Sequence, residues 1–255
     1  MTTSFVRKDR PTIVGMLRST TTELLVAEIN RMLQQGVDAF GFQHEIVQAD
    51  ERSEENYKKI FSAMQGKPAY VTNYVRCNVL DLTDEQLTEE LFLLVKLGAK
   101  LIDIRCDLFD RQADEYTTDP VAIEKQKKLI DQLHAMGVEV LMSAHVLKYT
   151  PYERVLEIAF SQQARGVDVV KIVTEANSEQ ELAENFKISL ALQEQIKVPT
   201  LFLCNGTHCR KHRIFAPLLD NGLYLAGEYG GPGINQPTIR EAREQLQLAG
   251  YNDLP

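Results

Sequence analysis

The chain has 255 residues, 44% of them hydrophobic and 25% charged, with 36 acids against 28 lysines and arginines for a formal net charge of -8. That is the composition of an ordinary globular chain, long enough for one large α/β domain or two small ones. The acidic balance argues against a nucleic-acid partner, and no apolar run reaches membrane-spanning length, so neither nucleic acid nor a membrane is expected to bind.

Thr12 to Leu17 reads as a first strand, followed by helix-spaced apolar residues from Thr21 to Gln35 that stop at Gly36. Ala39 to Phe42 is a second strand, Gln43 to Arg52 a polar loop, and Ser53 opens a helix ending at Gly66. Pro68 to Tyr74, Thr83 to Leu97 and Leu101 to Ile104 read as strand, helix and strand, and Arg105 to Thr118 as a long acidic loop. Asp119-Pro120 caps a helix reaching Met136. The next strand runs to His145, a helix spans Pro151 to Arg165, and a strand contains Lys171. A helix from Ser178 to Gln195, a strand from Thr200 to Cys204, a basic helix from Thr207 to Leu219 and a strand from Leu223 to Ala226 follow. A glycine-rich loop, Gly227 to Gln236, leads into the closing helix, Pro237 to Leu248.

Four joints share one form, a glycine helix stop leading directly into a strand: Gly36-Val37-Asp38, Gly98-Ala99-Lys100, Gly137-Val138-Glu139 and Gly166-Val167-Asp168. About eight alternating βα units with no composition break predict a single (β/α)₈ TIM barrel over residues 1–255. A doubly wound open sheet is the alternative, weakened because no G-x-G-x-x-G follows the first strand. The start of the chain carries no secretory apolar segment, and the four cysteines form no close CxxC pair, so reduced thiols and a cytoplasmic location are expected.

Two strands carry a residue their apolar runs do not explain. Lys171 interrupts Asp168-Val169-Val170-Lys171-Ile172-Val173, where an amine is costly without a partner or a task. His145 ends Val140-Leu141-Met142-Ser143-Ala144-His145. On consecutive strands of a barrel they meet at the C-terminal mouth, a nucleophilic amine beside a residue that titrates near neutrality. A desolvated amine can attack a ketone, and the resulting imine acidifies the neighbouring carbon, whose proton an imidazole can remove. The plainer readings are a lysine paired with an acid such as Glu175 and a capping or core histidine.

After the seventh strand, Cys204 to Arg213 is basic, and Arg213 is a candidate fork for a carboxylate. Cys204, His208 and His212 are spaced four apart with Cys209 alongside, a pattern that could ligate a transition metal, but the cluster lacks acids and a second half, so no metal or other cofactor is expected. Gly230-Gly231-Pro232-Gly233-Ile234-Asn235-Gln236 is either a plain connection or a lid over the mouth.

These residues resemble the type I 3-dehydroquinate dehydratase family. The His145 strand is similar to its catalytic-histidine strand, the Lys171 strand to its Schiff-base strand, His212-Arg213 to its Ser-Arg pair, and Pro232-Gly233 with Gln236 to its lid. The first half departs from the pattern. Gly41 stands where the family has an acid and Gln43 where it has an arginine. The arginine ending the third strand and the glutamate that positions the histidine fall at Tyr74 and Asn78, or at Arg76 and Leu80. Arg105 occupies a position where an acid is common. The resemblance implies a lyase that forms an imine and removes water from 3-dehydroquinate or a close polyhydroxy keto-carboxylate, with Lys171 as nucleophile and His145 as base and then acid. It places Arg213, Gln236, Gln43, Arg76, Tyr74 and Arg105 around the substrate and suggests a homodimer. A Schiff-base aldolase or dehydratase on another keto acid, and a catalytically weak metabolite sensor, are the alternatives.

Overall fold

The computed structural model describes residues 4–220, 222–230 and 235–255. Within them lie eight parallel strands: β1 (Thr12–Leu17), β2 (Ala39–Gln43), β3 (Ala69–Thr72), β4 (Ala99–Arg105), β5 (Glu139–His145), β6 (Val169–Glu175), β7 (Thr200–Asn205) and β8 (Leu223–Ala226). Pairing runs β7-β6-β5-β4-β3-β2-β1-β8, a nearly closed (β/α)₈ barrel as the alternation of elements predicts.

The strands are apolar on both faces, as parallel strands sandwiched between two layers must be. In β5 and β6, Val140, Met142, Ala144, Val170 and Ile172 face the surrounding helices. Leu101, Leu141, Val169 and Leu201 face the barrel axis, with Phe5 and Val6 of the N-terminal segment joining the same interior cluster. Helix starts follow the expected chemistry. The side chains of Thr83, Asp119 and Ser178 accept from the first turns of α3 (Asp84–Leu97), α4 (Pro120–Ala135) and α6 (Glu179–Gln195).

Three elements differ from the reading of the sequence. β3 stops at Thr72, because Asn73 turns its side chain to His44 and Glu90 rather than continuing the strand. The loop after β2 is built of two short 3₁₀ turns, His44–Ile46 and Ala49–Glu51, of which the first buries His44 and Glu45. The single basic helix expected from Thr207 to Leu219 is two, α7 (Cys209–Phe215) and α8 (Pro217–Asp220), since Pro217 has no N–H to continue the first.

Candidate active site

In register, Lys171 on β6 lies opposite Ser143 on β5, and His145 lies opposite Val173. The inward position two residues before Lys171 is the apolar Val169 of the barrel interior. One step along the strand therefore replaces apolar packing with polar contacts. The same step is made on β4, from Leu101 to Asp103, and on β5, from Leu141 to Ser143.

Lys171 is 5% exposed, and three oxygens receive its amine: the Tyr70 hydroxyl at 2.9 Å, the Tyr74 hydroxyl at 2.6 Å and Asp103 Oδ2 at 3.1 Å. An ammonium has three N–H bonds, so each finds an acceptor. Both phenols in turn donate to Asp103 Oδ2, Tyr74 at 2.5 Å, while Ser143 Oγ donates to Oδ1 at 2.6 Å. Burial, and next to it the Asp103 charge, pushes both phenols well above their ordinary range, so they remain donors. The acid beside Lys171 is thus Asp103, while Glu175, the partner proposed from the sequence, accepts from Asn177.

His145 is held by Glu115, whose Oε2 lies 2.6 Å from Nδ1 and 3.1 Å from the His145 backbone N–H. A carboxylate accepts, so the proton sits on Nδ1 and Nε2 is left as the basic nitrogen. Burial lowers the imidazole pKa, with the Glu115 hydrogen bond opposing it. Burial would raise Glu115, but its hydrogen bond to His145 and the charge of Arg76 bring it below the usual carboxylate value. The outcome is a neutral histidine oriented by an ionised glutamate. Arg76 completes the row with an ion pair to Glu115 Oε1 at 2.6 Å. The Tyr74 ring stands edge-on to His145 with centroids 5.0 Å apart, so one side chain touches both the lysine and the histidine.

A cavity of about 340 Å³ opens beside this group, lined by Arg18, Gln43, Glu45, Ile46, Tyr74, Arg76, Cys77, Glu115 and His145. Larger cavities lie at the other end of the barrel, against the N-terminal segment, and outside the start of α3 beside Asp84 and Arg111; none is lined by Lys171, His145 or Glu115. Of the residues chosen from sequence, His145, Tyr74, Arg76 and Gln43 line the mouth cavity, and Lys171 lies directly beneath Tyr74. Gln43 donates to the Leu17 carbonyl at 3.0 Å. Gln236 accepts from Arg18, which lines the cavity from the end of β1. Arg213 is buried and donates to the Cys204 carbonyl and Asn205 Oδ1, both at 2.7 Å. Burial, with a smaller contribution from the like charge of Arg18, lowers its pKa. Arg105 is not brought into the cavity. The chain turns after it, and its guanidinium pairs with Asp107 at 2.9 Å and faces Asp84.

Neither Asn78 nor Leu80 reaches the histidine. The glutamate beside it comes from the loop after β4, a segment with no periodicity to mark it. Asp103 had the same sequence signal as Lys171, a charge inside an apolar run. Glu45 was legible only as one polar residue in a polar loop. It is buried, its two oxygens share the Thr72 hydroxyl at 3.0 and 2.8 Å, and it is pushed up to about 7, chiefly by burial. It supplies an acid four residues beyond Gly41. At Gly41 itself a Cβ would collide with Met16 Sδ, so the space of the missing acid is filled by a thioether from β1.

Among the described residues no group of three or more His, Cys, Asp or Glu side chains is placed to hold a metal. His212 turns its Nε2 to Ser189 Oγ at 2.9 Å inside the helical layer, and burial brings it down to about 4. Cys204, also buried, is pushed up to about 12. In the glycine-rich loop, Gly231 to Ile234 lie outside the described residues.

The arrangement is that of a (β/α)₈ barrel with a lysine and a histidine on neighbouring strands of its C-terminal mouth. Solved structures share the fold. The 3-dehydroquinate dehydratase from Geobacillus kaustophilus HTA426 is similar at a TM-score of 0.82 and 12% identity, covering 97% of this chain and 94% of that one. The type I 3-dehydroquinate dehydratase from Clostridium difficile with covalent modified comenic acid is similar at 0.81 and 14%, covering 96% and 94%. A sialic acid synthetase from Leptospira borgpetersenii serovar Hardjo-bovis, in complex with citrate, shares the fold at 0.59 and 11%, covering 98% and 89%. The barrel alone therefore does not select a chemistry. No curated protein matches the chain. The family model for type I 3-dehydroquinase matches residues 15–253, and the chain belongs to that family.

Proposed function

We propose that the chain is a carbon-oxygen lyase that removes water from 3-dehydroquinate, or from a close polyhydroxy keto-carboxylate, through an imine on Lys171. The observation that carries this reading is the pairing of a buried, fully hydrogen-bonded lysine with a neutral, glutamate-oriented histidine at one barrel mouth. The Lys171 amine adds to the ketone, and loss of water gives a protonated imine. His145 Nε2 removes a proton from the adjacent carbon, and that electron pair moves toward the iminium nitrogen. The enamine then expels the hydroxyl one carbon further on, which takes the proton from His145 and leaves as water. Hydrolysis of the conjugated imine frees the product and restores Lys171.

Arg18, with Gln236 bonded to it, gives the cavity a cation besides Arg76, which is paired with Glu115, and Arg213 lies near enough to Arg18 for its charge to be felt. A substrate carboxylate is taken at Arg18. Glu45 and Gln43 face the hydroxyl groups.

The test is turnover of 3-dehydroquinate by the wild type and by Glu115→Gln, followed by absorbance of the conjugated product. The wild type should turn over, and the variant should be slower by about 100-fold, because His145 loses the group that fixes its tautomer and with it much of its general acid–base contribution. Because Glu115 holds the His145 pKa up against burial, its removal should also move the acid limb of the kcat/KM profile to lower pH. The same imine chemistry on a different keto acid is the second reading, favoured by Gly41, Met16 and Gln43 where an acid and an arginine are expected. A keto-acid panel in which 3-dehydroquinate alone is turned over removes it.

A further inference from the structure

Lys171, 5% exposed, and the more deeply buried Asp103 lie beneath the cavity without lining it, and Tyr70, which bonds to both, is fully buried. Tyr74 makes the same two hydrogen bonds from the cavity wall. It accepts from Lys171 Nζ at 2.6 Å and donates to Asp103 Oδ2 at 2.5 Å, so its one oxygen sits between a proton source and a proton store. Of the five groups in this network, Ser143 included, it is the one that lines the space a substrate would fill.

We propose that Tyr74 is a catalytic residue of imine formation, its phenol relaying protons between the Lys171–Asp103 pair and the substrate's carbonyl oxygen. The role rests on the imine reading above and adds to it a path for the protons. In the resting network Lys171 is matched as an ammonium. One proton passes from Nζ to the Tyr74 oxygen as the Tyr74 proton passes to Asp103, leaving a neutral amine. The nitrogen lone pair forms the N–C bond, the carbonyl π pair moves to oxygen, and that oxygen takes the Tyr74 proton while Tyr74 takes one from the new ammonium. The nitrogen pair next forms the C=N bond as the C–O bond breaks. The departing hydroxyl takes a second proton, drawn from Asp103 through Tyr74, and leaves as water. Both transferred hydrogens of that water come from the lysine ammonium, Asp103 is again a carboxylate, and the imine keeps one N–H and the positive charge.

This path also accounts for the second tyrosine. Tyr70 holds Asp103 and Lys171 in place from below and has no substrate to hand a proton to. Phenylalanine at 70 or at 74 removes the same two hydrogen bonds, but only the change at 74 breaks the route to the cavity.

The experiment is the rate of imine formation with 3-dehydroquinate across pH, sampled by borohydride quench and intact mass, for wild type, Tyr74→Phe and Tyr70→Phe, with folding checked by circular dichroism. In Tyr74→Phe the plateau rate should fall by about 100-fold, the order seen for a lost proton-transfer group, and in Tyr70→Phe by less than about tenfold. In the wild type, heavy water should slow the same step. If Tyr74→Phe only displaces the curve along the pH axis and keeps its plateau, the phenol merely sets the lysine's charge and the relay is overturned. Equal losses in both variants overturn it as well, as does a wild-type rate unchanged in heavy water. A wild type that turns the substrate over yet never forms an adduct overturns the imine reading itself, a result distinct from a wild-type adduct with an undiminished Tyr74→Phe plateau.

Discussion

The two ends of the barrel interior use the same strands and the same alternation, and they differ by one step of two residues. At the base, Leu101, Leu141 and Val169 meet one another and the N-terminal Phe5 and Val6. At the mouth, the next inward positions are Asp103, Ser143 and Lys171, joined by hydrogen bonds. The base can be apolar because β4, β5 and β6 satisfy one another's backbone groups there, Leu101 opposite Glu139 and Leu141 opposite Val169. Lys171 and Asp103 can be charged at the mouth because both are matched, three acceptors for the lysine and four donors for Asp103. Apolar packing thus fills one end and a hydrogen-bonded polar network the other, without a change of fold between them.

That contrast can be broken from the mouth. Asp103→Leu carries the base's chemistry one step up and strands the Lys171 ammonium and two phenols, so stability should fall by about 3–5 kcal/mol, as for other one-sided losses of a buried ion pair. Denaturant unfolding measures it. A variant as stable as the wild type would mean that the mouth tolerates apolar packing as the base does.

Glu45 sharpens the comparison, because it is a buried acid at the mouth with no cation of its own. Its pKa is raised from 4.5 to about 7 in the folded protein. A carboxyl raised on folding stabilises most below its unfolded pKa, and the contribution is lost as pH rises through the folded one. Between about pH 4.5 and pH 7 this group should cost up to about 3 kcal/mol of stability. Glu45→Gln should flatten that part of the profile, read as melting temperature against pH. An unchanged slope would assign it to other groups.

The smallest effect lies away from both ends. Thr83 caps α3 in a reciprocal pair with Gln86. Thr83→Ala should cost about 1 kcal/mol and leave turnover unchanged. A larger loss of activity than of stability would mean that the outer layer shapes the mouth.

How far the sequence revealed this site follows from what each residue interrupts. Lys171 and His145 stand out because strand periodicity makes a polar inward residue anomalous, and Asp103 carries the same mark between Ile102 and Ile104. Glu115 and Glu45 interrupt nothing. They come from segments whose polarity is expected, and only the tertiary fold turns them inward. Arg105 misled for the opposite reason. Alternation along β4 points it inward, but the strand ends there, and Asp107 and Asp84 hold the guanidinium at the rim. The strand-helix alternation was legible almost throughout, since glycine stops and capping residues mark its joints. The break at Pro217 and the early end of β3 at Thr72 were set by single residues and their tertiary partners.

The central claim is that Lys171 is the nucleophile at this mouth. Its most direct test is borohydride reduction of the protein in the presence of 3-dehydroquinate, with intact and peptide mass measurement of wild type and Lys171→Ala. The expected result is an adduct of substrate or dehydrated product on the peptide containing Lys171, absent from the variant. A wild type that turns over without an adduct, an adduct on another lysine, or trapping that persists in Lys171→Ala would contradict it.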